Sequence, residues 1–176
     1  MWTDDPTTSF GDFASLYIWR KSADIRRQTR TVGAFAKRGG GVIGVIVMTH
    51  GQFGQELLRT AQDIVGRQES IAAFAVTPEM GPETVSQELQ HVLDRLSTAD
   101  GALIMVDMLG GTPCNTALLK TKHVPAEVLT GVNLYMILSS FTHRNEMDLK
   151  SLAAKVAEDG RRAIVSANDL LMKRLS

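Results

Sequence analysis

His50 stands where a side chain can do covalent chemistry. It lies in Thr49-His50-Gly51, directly after the apolar run Ile43–Met48 (IGVIVM). A second apolar run, Ala102–Asp107 (ALIMVD), ends on a carboxylate and leads into Met108-Leu109-Gly110-Gly111-Thr112-Pro113. A neutral imidazole has one nitrogen lone pair free to attack, while its other nitrogen carries a proton. A carboxylate that accepts this proton in a hydrogen bond fixes the tautomer and aims the ring. It also stabilises the positive charge that grows as the free nitrogen bonds to phosphorus. Histidine can itself be the covalent carrier, so no serine or cysteine nucleophile is required. Two glycines let the backbone come close to a bound group. Thr112 suits an N-cap and Pro113 a first helical position. The free N–H groups of a helix start, at its positive dipole end, can hold an anion. Phosphoryl transfer needs mainly in-line positioning and donors for spread negative charge. His50 and Asp107 are therefore the candidate nucleophile and orienting group, and Gly110, Gly111 and Thr112 the candidate phosphoryl cradle.

Each residue also has a plainer reading. A histidine after a strand is often structural, an aspartate can simply cap a turn, and Gly-Gly-Thr-Pro can be an ordinary strand-to-helix connection. Their joint occurrence is what points to chemistry. The other histidines fit surface or helix-end positions: His91 beside an apolar helical stripe, His123 at a helix C-terminus, His143 in a polar helix end. A zinc site on His50 and Asp107 would need a third ligand at a suggestive spacing, and none is present.

The elements that must position these residues follow from hydrophobic periodicity. Ile43–Met48, Ile71–Val76 (IAAFAV) and Ala102–Asp107 read as buried strands, and Ala126–Thr130 as a weaker fourth. Phe53, Leu57, Leu58, Ala61, Ile64 and Val65 recur at helical spacing and stop at Gly66. Pro82 opens a helix carrying Val85, Leu89, Val92, Leu93 and Leu96 on one face. Short helical patterns run from the Gly-Gly-Thr-Pro turn to Leu119, over Leu134–Phe141 and over Met147–Glu158, and Arg162–Ser166 (RAIVS) reads as a last strand. Strands alternating with helices imply an α/β, doubly wound, mostly parallel sheet of order 2-1-3-4. In such sheets ligands bind beyond the carboxyl ends of the strands where the order reverses, here between strands 1 and 3. That places His50 and Asp107 across one crevice.

The chain has 176 residues, 44% hydrophobic and 22% charged, with zero formal net charge. One such domain can bury a sufficient core unaided. The charge balance suggests neither a nucleic-acid nor a membrane partner. Residues 1–41 differ from the rest: they carry seven Lys/Arg against four Asp/Glu and end in Gly39-Gly40-Gly41. They read as an N-terminal extension with a flexible joint, containing a short helix around Asp12–Arg27, ahead of a domain at 42–176. A single cysteine, Cys114, precludes a disulfide within the chain and fits a reducing compartment. With no membrane-length apolar run and no secretory signal pattern, the expected location is cytoplasmic.

The segments IGVIVMTHG, VDMLGGTPCN and TGVNLYM resemble the IIA domain of the mannose/fructose-family, phosphoenolpyruvate-dependent sugar phosphotransferase system, over roughly residues 42–168. The pair THG and VD-x-x-GG-[ST]-P-x-N, in this order and separation, is specific where either alone is weak. The resemblance implies that His50 accepts a phosphoryl group from the phosphocarrier HPr and passes it to a IIB protein, with Asp107 as its hydrogen-bond partner. It implies that Thr112 and the Gly110 and Gly111 backbone cradle the phosphoryl oxygens, and that no metal or cofactor takes part. The membrane would enter only indirectly, through IIC and IID components. It also implies a homodimer in which a C-terminal edge strand, here Arg162–Ser166, crosses to the neighbouring subunit, which would cover an exposed sheet edge. Residues 1–41 fall outside the family pattern. The alternatives are a regulatory IIA-like module whose phosphorylation controls a partner protein, the phosphotransfer subunit of a dihydroxyacetone kinase, and a binding domain that has lost transfer. The sugar is not legible in the sequence.

Overall fold

The computed structural model describes residues 42–96 and 100–175. The expected extension, its helix around Asp12–Arg27 and the glycine joint lie outside these residues. Four strands, β1 (Gly44–His50), β2 (Ile71–Val76), β3 (Ala102–Val106) and β4 (Ala126–Thr130), alternate with helices α1 (Phe53–Val65), α2 (Pro82–Leu96) and α3 (Thr112–Lys120). Three further helices follow: α4 (Leu134–His143), α5 (Leu149–Arg162) and α6 (Ala167–Leu175). The strands form one parallel sheet of order β2-β1-β3-β4, as the periodicity implies.

The burial pattern explains the order. In β1 every residue but His50 is buried, and β3 is buried throughout, as befits central strands covered on both faces. Successive side chains alternate between those faces. Val45, Val47, Leu103 and Met105 pack into a core with Leu58 and Ala61 of α1, Ile137 and Phe141 of α4, and Leu152 and Val156 of α5. Ile46, Met48, Ile104 and Val106 pack on the other side with Val85 and Leu89 of α2, and with Cys114 and Ala117 of α3. Strand β4, at the edge, is only half-buried. Asn133 caps α4 by accepting the Met136 N–H, and Asp148 caps α5 by accepting the Ser151 N–H.

The chain departs from expectation at its C-terminal end. Arg162–Ser166 is not a strand within the single chain. Arg162 closes α5, whose hydrogen bonding carries on as Ala163 N–H donates to Asp159 and Ile164 N–H to Arg161. Short-range helical bonds thus hold the Ala163 and Ile164 N–H groups, two of those that a strand would offer a neighbour. Ile164 and Val165 are left 81% and 58% exposed. The unanticipated α6 then starts where the Leu170 N–H bonds back to Ser166.

Candidate functional site

Strands β1 and β3 are adjacent, with Met48 level with Val106, so His50 and Asp107 leave the sheet side by side at its carboxyl end. The His50 Nδ1 lies 2.9 Å from Asp107 Oδ2, and the His50 backbone N–H donates to that same oxygen at 2.8 Å. The other carboxylate oxygen, Oδ1, accepts the Met108 N–H at 2.9 Å. Asp107 is thereby held by three donors. Burial, the largest influence, pushes its carboxyl up. The His50 amide, the His50 ring with its charge and the Met108 amide together outweigh burial and hold the group below the ordinary carboxylate value. An ionised Asp107 accepts a hydrogen bond from a protonated Nδ1, which leaves Nε2 with the lone pair. The His50 side chain is 48% exposed, open to a macromolecular partner.

The Gly-Gly-Thr-Pro turn closes on this ring. Gly110 has φ +82°, a left-handed conformation that favours glycine, and starts the turn. A β-carbon on Gly111 would stand 2.9 Å from His50 Cε1 and 3.4 Å from Nε2, so the backbone meets the imidazole edge to edge only because this residue has none. Thr112 is displaced from its expected role. Gly111, not Thr112, is the N-cap, and Thr112 is the first helical residue with Pro113 after it. The cause is the Asn115 N–H, which donates to the Gly111 carbonyl at 3.0 Å and closes the first turn one residue early. After this shift the opening N–H groups of α3 still have no partner within the helix.

Two polar residues that the sequence reading passed over steady the site. Thr49, fully buried, accepts the Gly54 N–H at 2.8 Å and so does for α1 what Gln52, its N-cap, does not do with its side chain. Asn115 donates from Nδ2 to the Gly110 carbonyl at 3.2 Å. The signals were present, Thr49 beside His50 and Asn115 three residues beyond Thr112, but their bonds depend on folded loops. The remaining histidines stand apart. His91 and His123 are exposed, on α2 and just after α3. His143 is half-buried at the end of α4, beside Lys155 and Asp159 of α5 and near Glu146. Among the described residues no three His, Cys, Asp or Glu side chains converge as metal ligands, and no helix is long and apolar enough to cross a membrane.

Residues 44–157 match the family of PTS system fructose IIA components. The chain belongs to this family. It is 31% identical over 126 residues to the PTS system mannose-specific EIIAB component of Escherichia coli (strain K12), a match covering 69% of this chain and 38% of that protein. It is 28% identical over 112 residues to the PTS system fructose-specific EIIA component of Bacillus subtilis (strain 168), covering 63% of this chain and 77% of that protein. Among solved structures, the mannose/sorbose specific IIA subunit from Enterococcus faecalis superposes with a TM-score of 0.65 at 28% identity, over 71% of this chain and 94% of that one. The resemblance read from THG and VDMLGGTPCN therefore holds. The chain spans less than half the length of the mannose-specific relative it matches.

Proposed function

We propose that this protein is a phosphoryl carrier that takes a phosphoryl group from phospho-HPr onto His50 Nε2 and passes it to a IIB component. The observation that carries the reading is the 2.9 Å bond between Nδ1 and Asp107, which leaves Nε2 open beside Gly111 and the start of α3. In the forward step the Nε2 lone pair forms a bond to phosphorus as the nitrogen–phosphorus bond of the donor breaks. The donor nitrogen leaves with that electron pair. The His50 ring becomes cationic and keeps its Nδ1 proton, which Asp107 stabilises through the same hydrogen bond. The three equatorial oxygens carry the spread charge of a loose transition state. The N–H groups opening α3 and the Thr112 hydroxyl are placed to receive them. Passage to IIB is the same exchange reversed onto a new nitrogen or sulfur nucleophile.

The same reading covers the rest of the chain. Residues 42–176 form the IIA domain and 1–41 a separate extension, the protein works in the cytoplasm, and the membrane is met only through IIC and IID partners. The exposed Ile164 and Val165, together with the half-buried edge strand β4, support a homodimer in which Arg162–Ser166 of each subunit gives up the bonds at Ala163 and Ile164 and pairs with the other's sheet edge.

Incubation with phosphoenolpyruvate, the first general phosphotransferase protein and HPr should yield one acid-labile phosphoryl group per chain. His50→Ala should take none. Label that persisted on this variant would overturn the assignment.

A further inference from the structure

Gly111 lies against His50, where a β-carbon would stand 2.9 Å from Cε1, and the peptide that joins it to Gly110 has little of its own to hold it. Rotation of a peptide plane between two residues turns on the ψ of the first and the φ of the second. Both are glycines here, so no β-carbon resists that rotation. A flip would reverse the direction of the Gly111 N–H and turn a carbonyl oxygen toward the place of the phosphoryl oxygens. One side chain opposes it. Asn115 Nδ2 donates to the Gly110 carbonyl at 3.2 Å, and a carbonyl only accepts, so the amide must present its nitrogen there. In a trans peptide the C=O and the following N–H point in opposite directions. Fastening the Gly110 oxygen therefore fixes the direction of the Gly111 N–H. The Asn115 backbone N–H, bonded to the Gly111 carbonyl at 3.0 Å, secures the next peptide from the same residue.

We infer that Asn115 is a positioning residue that locks the Gly110–Gly111 peptide with its N–H turned to the His50 side, so that the cradle is preformed before a phosphoryl group arrives. The inference rests on the phosphoryl-carrier reading for its consequence, though not for the lock itself. The Asn115 side chain is bonded to the Gly110 carbonyl rather than to His50. It acts through the backbone, and its loss lowers the rate of transfer without weakening the encounter with the donor protein.

Two variants separate this role from a merely structural one. Asn115→Ala removes the donor without adding charge. Asn115→Asp keeps the shape, cannot donate, and sits in the first turn of α3, where a carboxylate suits the helix dipole. Asn115→Asp should therefore melt no lower than the parent protein and still be impaired. Both variants should show about a tenfold lower single-turnover rate of phosphoryl uptake from phospho-HPr, with the half-saturating donor concentration within twofold of the parent's. In the unphosphorylated proteins, the Gly111 amide should give a single sharp nuclear magnetic resonance signal in the parent. In Asn115→Ala it should show exchange broadening on the microsecond-to-millisecond scale. A sharp, unshifted Gly111 signal in Asn115→Ala would overturn the lock, whatever the labelling gives. Uptake by both variants within twofold of the parent would overturn its role in transfer. Failure of the parent protein to take label would instead refute the carrier reading, while the amide signal still decides the lock.

Discussion

Replacing Gly111 by alanine isolates the fit between backbone and imidazole. The residue has φ −74° and ψ 167°, which any amino acid adopts, so the change brings no backbone strain. The unfolded chain loses conformational freedom, which favours the folded state by about 0.4–1 kcal/mol. Against this stands the new methyl group 2.9 Å from His50 Cε1. Carbon atoms rest about 3.5–4.0 Å apart, so the ring must retreat by roughly 0.6–1 Å. It cannot swing freely, because Nδ1 is tied to Asp107 at 2.9 Å and Asp107 is tied to two backbone amides. A displacement of about 1 Å at a reacting group costs on the order of 10²-fold in rate. Partial relaxation of the turn brings the expected loss to about 10- to 100-fold. Rapid-quench measurement of phosphoryl uptake from phospho-HPr reads the rate, and thermal melting reads the stability. Uptake within threefold of the parent, with an unchanged melting temperature, would show that the ring has slack and that the close approach does not set the geometry of attack.

Asp107→Asn should lower the uptake rate by about 10²-fold or more, because the neutral amide neither fixes the Nδ1-protonated tautomer nor balances the cationic ring. A single-turnover rate equal to the parent's would remove the carboxylate from the mechanism. Thr49→Val keeps the shape but leaves the buried Gly54 N–H without its acceptor, at a cost of about 1–3 kcal/mol, to be read in a urea titration. An unchanged midpoint would mean that water replaces the hydroxyl. The pH dependence of stability should carry the mark of His143. Burial first and Lys155 second lower its pKa, against Asp159 and Glu146, which raise it. The folded state then binds this proton less readily than the unfolded chain. Its contribution is whole above the unfolded value of about 6.5 and is lost as the pH falls from there toward the folded pKa. Melting temperatures from pH 8 to about pH 5 should decline less for His143→Gln than for the parent, and parallel curves would refute this.

The strands were legible because their apolar, β-branched runs are bounded by Gly, Pro and polar turns. Ile71–Val76 and Ala126–Thr130 match the reading residue for residue. Arg162–Ser166 misled for the same reason. Ala-Ile-Val carries a β-like signature, yet within the single chain it follows a helix whose hydrogen bonds run on to Ile164, and composition cannot tell which backbone partner a short segment finds. The pairing of His50 with Asp107 was legible through topology, since two central parallel strands must deliver their last residues to one crevice. Which ring nitrogen meets the carboxylate was not, because that depends on side-chain rotation set by the Met108 and His50 amides. The one-residue shift of the N-cap from Thr112 to Gly111 likewise turned on a single bond from Asn115 that no local propensity encodes.

The grip on Asp107 has a chemical corollary. One of its oxygens takes both N–H groups of His50 and the other takes Met108, so the carboxylate has no freedom to follow a ring that turns over. On the phosphoryl-carrier reading, the two regioisomers of phosphohistidine are therefore not equally accessible at His50, and the 3-phospho form is the one that leaves the turn intact. An antibody or phosphorus resonance specific for that isomer should report the entire phosphorylated pool.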